Sequence, residues 1–189
     1  YLYKKMPYDP VKQLVPVVLT TSQPNVLAVN AAVPATTFAE FVVWARQQGN
    51  KLSYGSLGNG SSSHLTMELL KSVAGFEAVH VPYAGSPPAG QSLAAGDTQA
   101  LFSVAPALLP LLQGGRVRFL ATTSARRVEG MGDLPTVAES GYPGFEALAW
   151  NGLFAPAGVN AEVLQRINAD VNAVMNEPAV REAFAEAQA

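Results

Sequence analysis

The chain has 189 residues, with 12 Lys plus Arg against 14 Asp plus Glu, 49% hydrophobic and only 14% charged residues, 16 Gly, 14 Pro and no Cys. So large an apolar fraction with so few charges excludes a disordered chain, and a net charge of -2 argues against a nucleic-acid binder, which needs a basic face to displace counterions from phosphates. The absence of cysteine removes disulfides, Cys-ligated zinc, iron–sulfur clusters and thiol nucleophiles together.

The opening residues, Tyr1-Leu2-Tyr3-Lys4-Lys5, lack a signal-peptide pattern, and no stretch reaches the roughly 18 apolar residues that a membrane helix needs. The chain begins without Met and stops inside a helix-like run, Glu182 to Ala189, so both ends are expected to be cut. Leu14 to Thr20 and Val26 to Asn30 are β-branched and aliphatic runs around Ser22-Gln23-Pro24-Asn25, which predicts two strands and a turn. The period then changes. Phe38, Phe41, Val42 and Ala45 fall at i, i+3, i+4 and i+7 behind Thr36 or Thr37 as cap, so a helix runs to about Gln48 and stops at Gly49.

From Leu52 a strand–helix unit recurs. Strands are predicted at Leu52 to Tyr54, Ala78 to Val81, Ala100 to Ser103 and Val117 to Thr122. Between them lie helices at Ser63 to Val73, Pro88 to Ala95 and Pro106 to Gln113, closed by Gly75, Gly96 and Gly114. Alternation at this spacing favours parallel strands joined by right-handed crossovers, hence a doubly wound α/β lobe. After Arg126-Arg127, Thr136-Val137-Ala138-Glu139 spells a capping box closed by Gly141. Ala147 to Phe154 reads as a further strand and Ala161 to Met175 as an amphipathic helix, which Pro178 separates from the last one.

In an open parallel sheet, ligands collect at the carboxyl ends of the strands, where loops splay apart and helix N-termini point inward. The richest such loop is Gly55 to His64. Its glycines let backbone approach a ligand, and its hydroxyls and first-turn amides suit a carboxylate or phosphate. Gly58, Asn59, Gly60, Ser61, Ser62, Ser63 and His64 are therefore candidate ligand-binding residues, against the plainer reading of a flexible turn with Ser62 or Ser63 as helix cap. The loop has P-loop glycine spacing, but Ser61 stands where an NTPase needs Lys. Gly58-Asn59-Gly60 also begins a dinucleotide fingerprint whose third glycine would fall at Ser63. Tyr83, Gly85 and Ser86 in the next strand-end loop, and Ser103 in the third, add neutral donors to the same sheet edge.

Enzyme chemistry finds less support. There is no Gly-x-Ser-x-Gly elbow, and the four Asp residues are dispersed at 9, 97, 133 and 170. The two histidines form no recognisable metal motif. No catalytic residue, metal or cofactor is assigned. A Ser/His hydrolase using Ser62 or Ser63 with His64, and a ligand-sensing domain for a signalling partner, stand as alternatives. His80 reads as a strand residue, Trp44 as core, and Trp150 as core or the lining of a crevice.

Short phrases over nearly the whole chain are similar to the Bug family, the periplasmic solute receptors of tripartite tricarboxylate transporters. They include Pro24 to Asn30, Tyr54 to His64, His80-Val81-Pro82-Tyr83-Ala84-Gly85, Leu134 to Gly141 and Leu153-Phe154-Ala155-Pro156-Ala157-Gly158. The resemblance implies a type II periplasmic-binding-protein fold and a small organic carboxylate as ligand: a di- or tricarboxylate, an aromatic acid or an amino acid. It further implies transporter permease subunits as partners and a periplasmic location. On that pattern 1–29 is part of a first lobe with its hinge strand, 30–145 is the second lobe, and 146–189 returns to the first. The family's Pro-x-Gly-Gly loop has no counterpart here, so part of the cleft is expected to be missing and a dimer could cover the apolar surface left open. Two residues depart from the family's usual spelling: Ser103 stands where Asp is common, and Ala84 where Lys is common.

Overall fold

The computed structural model describes residues 6–186; Tyr1 to Lys5, read above for a leader pattern, and the end of the run to Ala189 lie outside the described residues. The chain forms two compact units, one of them Pro24–Ala149 and the other made of the stretches before and after it.

A single turn, α1 (Pro10–Gln13), capped by the Asp9 carboxylate, leads into β1 (Leu14–Asn30). Where a turn was expected at residues 22–25, β1 is one strand of 17 residues. Pro24 is accommodated because pairing in the larger unit begins only at Asn25, so its missing N–H interrupts no ladder bond there. α2 (Phe38–Gln48) starts at a capping box. Thr37 Oγ1 accepts from Glu40 N–H, and the Glu40 carboxylate accepts from Thr37 N–H, both at 3.2 Å. The predicted face of this helix, Phe38, Phe41, Val42 and Ala45, is buried.

β2 (Ser53–Ser56), α3 (Ser62–Ala74), β3 (Val79–Pro82), α4 (Ser86–Ala95), β4 (Ala100–Val104), α5 (Leu109–Gln113) and β5 (Val117–Thr122) follow. α3 and α4 end on the left-handed glycines Gly75 and Gly96 as expected, whereas after α5 the left-handed residue is Gly115 and not Gly114. The helix expected over Pro106 to Gln113 breaks into a 3-10 turn and the short α5. Pro106 and Pro110 each occupy a first-turn position, because neither can donate to a continuing helix. At Thr136 the capping-box bonds form, with Glu139 N–H on Thr136 Oγ1 at 3.0 Å and Thr136 N–H on the Glu139 carboxylate at 2.9 Å, yet the segment closes only one turn.

The sheet order is β3-β2-β4-β1-β5. β2 runs parallel to β3 and β4, as the strand–helix repeat predicts. β1 enters between β4 and β5 antiparallel to both, which makes the sheet mixed. Helices cover its two faces. Leu27, Phe38, Phe41, Tyr54, Leu70 and Phe102 fill one side, and Val26, Ala28, Leu93, Leu101 and Leu108 the other. The alternation of Val26 and Ala28 with Leu27 and Val29 is the period-2 signature of a strand covered on both faces. Trp44 packs half-buried against the first cluster.

In the flanking unit, β6 (Leu148–Pro156) pairs with β1, and α6 (Ala161–Met175) and α7 (Pro178–Glu186) follow. Thr20 Oγ1 donates to the Asn151 carbonyl at 3.1 Å and Asn168 Nδ2 to the Val17 carbonyl at 2.6 Å. No residue of β6 or α6 is buried. Trp150 is 59% exposed, beside a shallow hollow of about 320 Å³ shared with Pro16 to Leu19.

Candidate ligand-binding site

Because β2, β3 and β4 are parallel, their carboxyl ends, Ser56, Pro82 and Val104, leave the same edge of the larger unit. The three loops there are laced together. Tyr83 N–H donates to the Ser56 carbonyl at 3.0 Å, tying the second loop to the first. Ser63 Oγ donates to the Phe102 carbonyl at 2.5 Å, tying the start of α3 to β4. Gly58 has φ 118, in the region that favours glycine, and a Cβ there would stand in ordinary contact, 3.6 Å, with the Tyr83 carbonyl oxygen of the second loop.

Within the first loop, Ser61 is the cap of α3, one residue before the Ser62 or Ser63 considered from sequence. Its Oγ accepts from His64 N–H at 3.3 Å and donates to the Gly58 carbonyl at 2.7 Å. Gly60 N–H donates to His64 Nδ1 at 3.1 Å, so the neutral ring carries its hydrogen on Nε2. The amides of Ser62 and Ser63 have no partner among the described residues, as the first turn of a helix requires, and Asn59 is exposed.

The second loop is poorer in donors than a helix start usually is. α4 has no side-chain cap at Gly85, and Pro87 and Pro88 remove two first-turn amides, leaving those of Gly85 and Ser86. The Tyr83 hydroxyl is paired with Ser92 Oγ at 2.5 Å, and Ser92 in turn with Thr98 at 3.3 Å, so that hydroxyl is spent inside the unit. At the end of β4, Ser103 is 1% exposed and its Oγ has no partner among the described residues. A buried hydroxyl without a partner costs free energy unless something else satisfies it.

Behind the first loop the rings of Tyr54, His80 and His64 form a stack. His64 and His80 lie 4.0 Å apart and 6° from parallel, and the Tyr54 ring lies 5.0 Å from His80 and 6.5 Å from His64. Ser56 Oγ, wholly buried, is 2.6 Å from His80 Nε2 and 3.2 Å from both N and O of Gly58. The Tyr54 hydroxyl donates to Glu68 at 2.6 Å, and Lys71 Nζ donates to the same carboxylate at 2.8 Å. Burial, then the Glu68 bond, raises the Tyr54 pKa far above the usual phenol range. Burial and the neighbouring His64 lower that of His80. Burial alone would raise Glu68, but the bonds from Lys71 and Tyr54 outweigh it and hold the carboxyl below its usual range.

Buried polar residues at the same edge escaped the sequence reading. Asn25 N–H donates to Thr123 Oγ1 at 2.9 Å and Asn25 Nδ2 to Thr66 Oγ1 at 3.5 Å, while Thr123 Oγ1 also donates to the Ala147 carbonyl. In the sequence Asn25 reads as the end of a turn and Thr123 as the residue after a strand, and neither gains meaning until β1 is placed between β4 and β5.

The family model described as the tripartite tricarboxylate transporter family receptor matches residues 1–189. The chain belongs to this receptor family. A UPF0065 protein from the tcbD–tcbE intergenic region of Pseudomonas sp. strain P51 is 38% identical over 97% of this chain and 55% of its own length. BugT of Bordetella pertussis is 31% identical over 97% of this chain and 56% of its own. Among solved structures, R. palustris Rpa4515 with adipate superposes with a TM-score of 0.88 at 36% identity, covering 98% of this chain and 62% of that one. MatC from Rhodopseudomonas palustris with bound malate gives 0.87 at 30%, covering 98% and 63%. The chain thus spans about half the length of the curated relatives it matches. The mixed α/β sheet is that of its binding-protein relatives.

Proposed function

We propose that this chain is part of an extracytoplasmic, periplasmic solute receptor that captures a small organic carboxylate and presents it to the permease subunits of a tripartite tricarboxylate transporter. The observation that carries this reading is the convergence of three laced loops at one sheet edge, all of whose offered groups are neutral: the amides of Ser62, Ser63, Gly85 and Ser86 and the unpartnered hydroxyl of Ser103. Neutral donors of this kind suit a carboxylate, which needs several hydrogen bonds and gains from a helix N-terminus. The adipate and malate of two structural relatives agree with that chemistry. Gly58, Asn59, Gly60, Ser61, Tyr83 and Gly85 then shape the loops around the ligand, and the lobe division at about residues 30 and 145 belongs to the same proposal.

The hydrolase alternative lacks the hydrogen bond it needs, because among the described residues none joins the hydroxyl of Ser62 or Ser63 to the His64 ring. Ser63 Oγ is spent on the Phe102 carbonyl and His64 Nδ1 on Gly60 N–H. Titration calorimetry with adipate, malate, an amino acid and a nucleotide tests the receptor reading. Binding confined to carboxylates supports it, and heat from the nucleotide alone overturns it.

A further inference from the structure

The loop that offers the α3 amides is held at both ends by the two stacked histidines. Ser61 and His64 divide the work of a capping box. In the ordinary box, a Glu or Gln three residues after the cap accepts from the N-cap amide. Here the third helical residue is His64, and it accepts from the amide of Gly60, one residue further out. A carboxylate goes on accepting down to acid pH, whereas an imidazole stops as soon as its Nδ1 takes a proton. Ser56, at the other end of the loop, touches His80 Nε2.

We infer that His64, stacked on His80, is a positioning residue of the ligand loop and a proton-released latch: the neutral ring holds Gly60 in place, and the imidazolium lets it go. At 4.0 Å and nearly parallel, the rings cannot both charge without repulsion, so His80 limits how protons enter the pair. The titratable and charged groups around the pair are the Tyr54 phenol on β2 and Glu68 and Lys71 on α3. Glu68 and Lys71 are bonded to each other at 2.8 Å and largely cancel, which leaves proton uptake to the rings. Release of Gly60 removes one of the bonds that hold the Gly58-to-Ser61 turn on the first turn of α3, whose amides are the donors proposed above; the Ser61 cap bond from His64 N–H remains. The effect on capture rests on the receptor reading; the latch itself does not.

The test therefore has a ligand-free arm. In the wild-type chain, NMR titration across about pH 7.5 to 5 should move the His64 ring and the Gly60 amide with one shared midpoint. In His64→Asn, whose side-chain oxygen accepts where Nδ1 did but does not titrate, the Gly60 amide should stay still. A Gly60 amide that ignores His64 protonation in the wild type overturns the latch. In the second arm, adipate affinity is compared between the two pH limits, with His64→Asn as control for the ligand's own protonation. The wild-type loss on acidification should exceed that of the variant by about tenfold, the worth of one hydrogen bond. Equal losses, or wild-type affinity that rises with acid because an imidazolium attracts the carboxylate, overturn the latch. A coupled Gly60 titration without adipate or malate binding at any pH supports the latch and counts against the receptor reading alone.

Discussion

Replacing Ser103 by Ala removes a buried hydroxyl that no described protein group satisfies, so stability should hold or rise by up to about 1 kcal/mol. If that hydroxyl awaits a ligand, adipate affinity should fall about tenfold in the same variant. Ser63→Ala is the opposite case. It strips the Phe102 carbonyl of its bond from α3, and denaturant unfolding should report a loss of about 1–2 kcal/mol. The stacked rings predict a pH dependence of stability with a definite sign. His80 and Glu68 both have folded-state pKa values below the ordinary ones, so the unfolded chain binds more protons. Their contribution is present above the unfolded pKa values and is lost as pH falls, first through the histidine range and then through the carboxylate range. Denaturant midpoints measured from neutral pH downward should fall in that order, and His80→Gln should flatten the first part.

Elements whose ends are marked by local chemistry were legible in the sequence. The start of α2 at Thr37, its stop at Gln48 and the span of α6 follow from caps, glycines and the helical period, which act within a few residues. Thr37→Ala should cost about 1 kcal/mol. The Thr136 box shows the limit of such signals, because its bonds form and yet Thr136 is claimed by a bridge to Thr122. Gly58 is a loop position whose backbone disfavours any side chain. With φ 118, Gly58→Ala should strain the loop by about 1–3 kcal/mol and, on the receptor reading, weaken adipate binding, both readable by calorimetry.

At the scale of the molecule, stability is unevenly spread. Among the described residues, the fully buried large side chains all lie in Pro24–Ala149, while β6 and α6 bury none. Hydrogen exchange should therefore be slowest in β1 beyond Asn25, β2 and β4, and fast in α6. On the receptor reading, adipate at about 100 times its dissociation constant should add about 2.7 kcal/mol of stability, visible as a thermal shift. What the sequence by itself determined was the strand–helix repeat, the parallel run of β2, β3 and β4, and the strand-end loops rich in neutral donors, because periodicity, caps and glycines are local. The tertiary structure alone decided that β1 runs straight through Pro24 and slots antiparallel between β4 and β5, because pairing partners distant in sequence leave no periodic trace. It also decided which donors are spent and which are open: the Tyr83 hydroxyl goes to Ser92, Ser63 to Phe102, and His64 turns back onto Gly60 against His80, 16 residues along the chain. A side chain's chemistry is local, but its hydrogen-bond partner is chosen by packing.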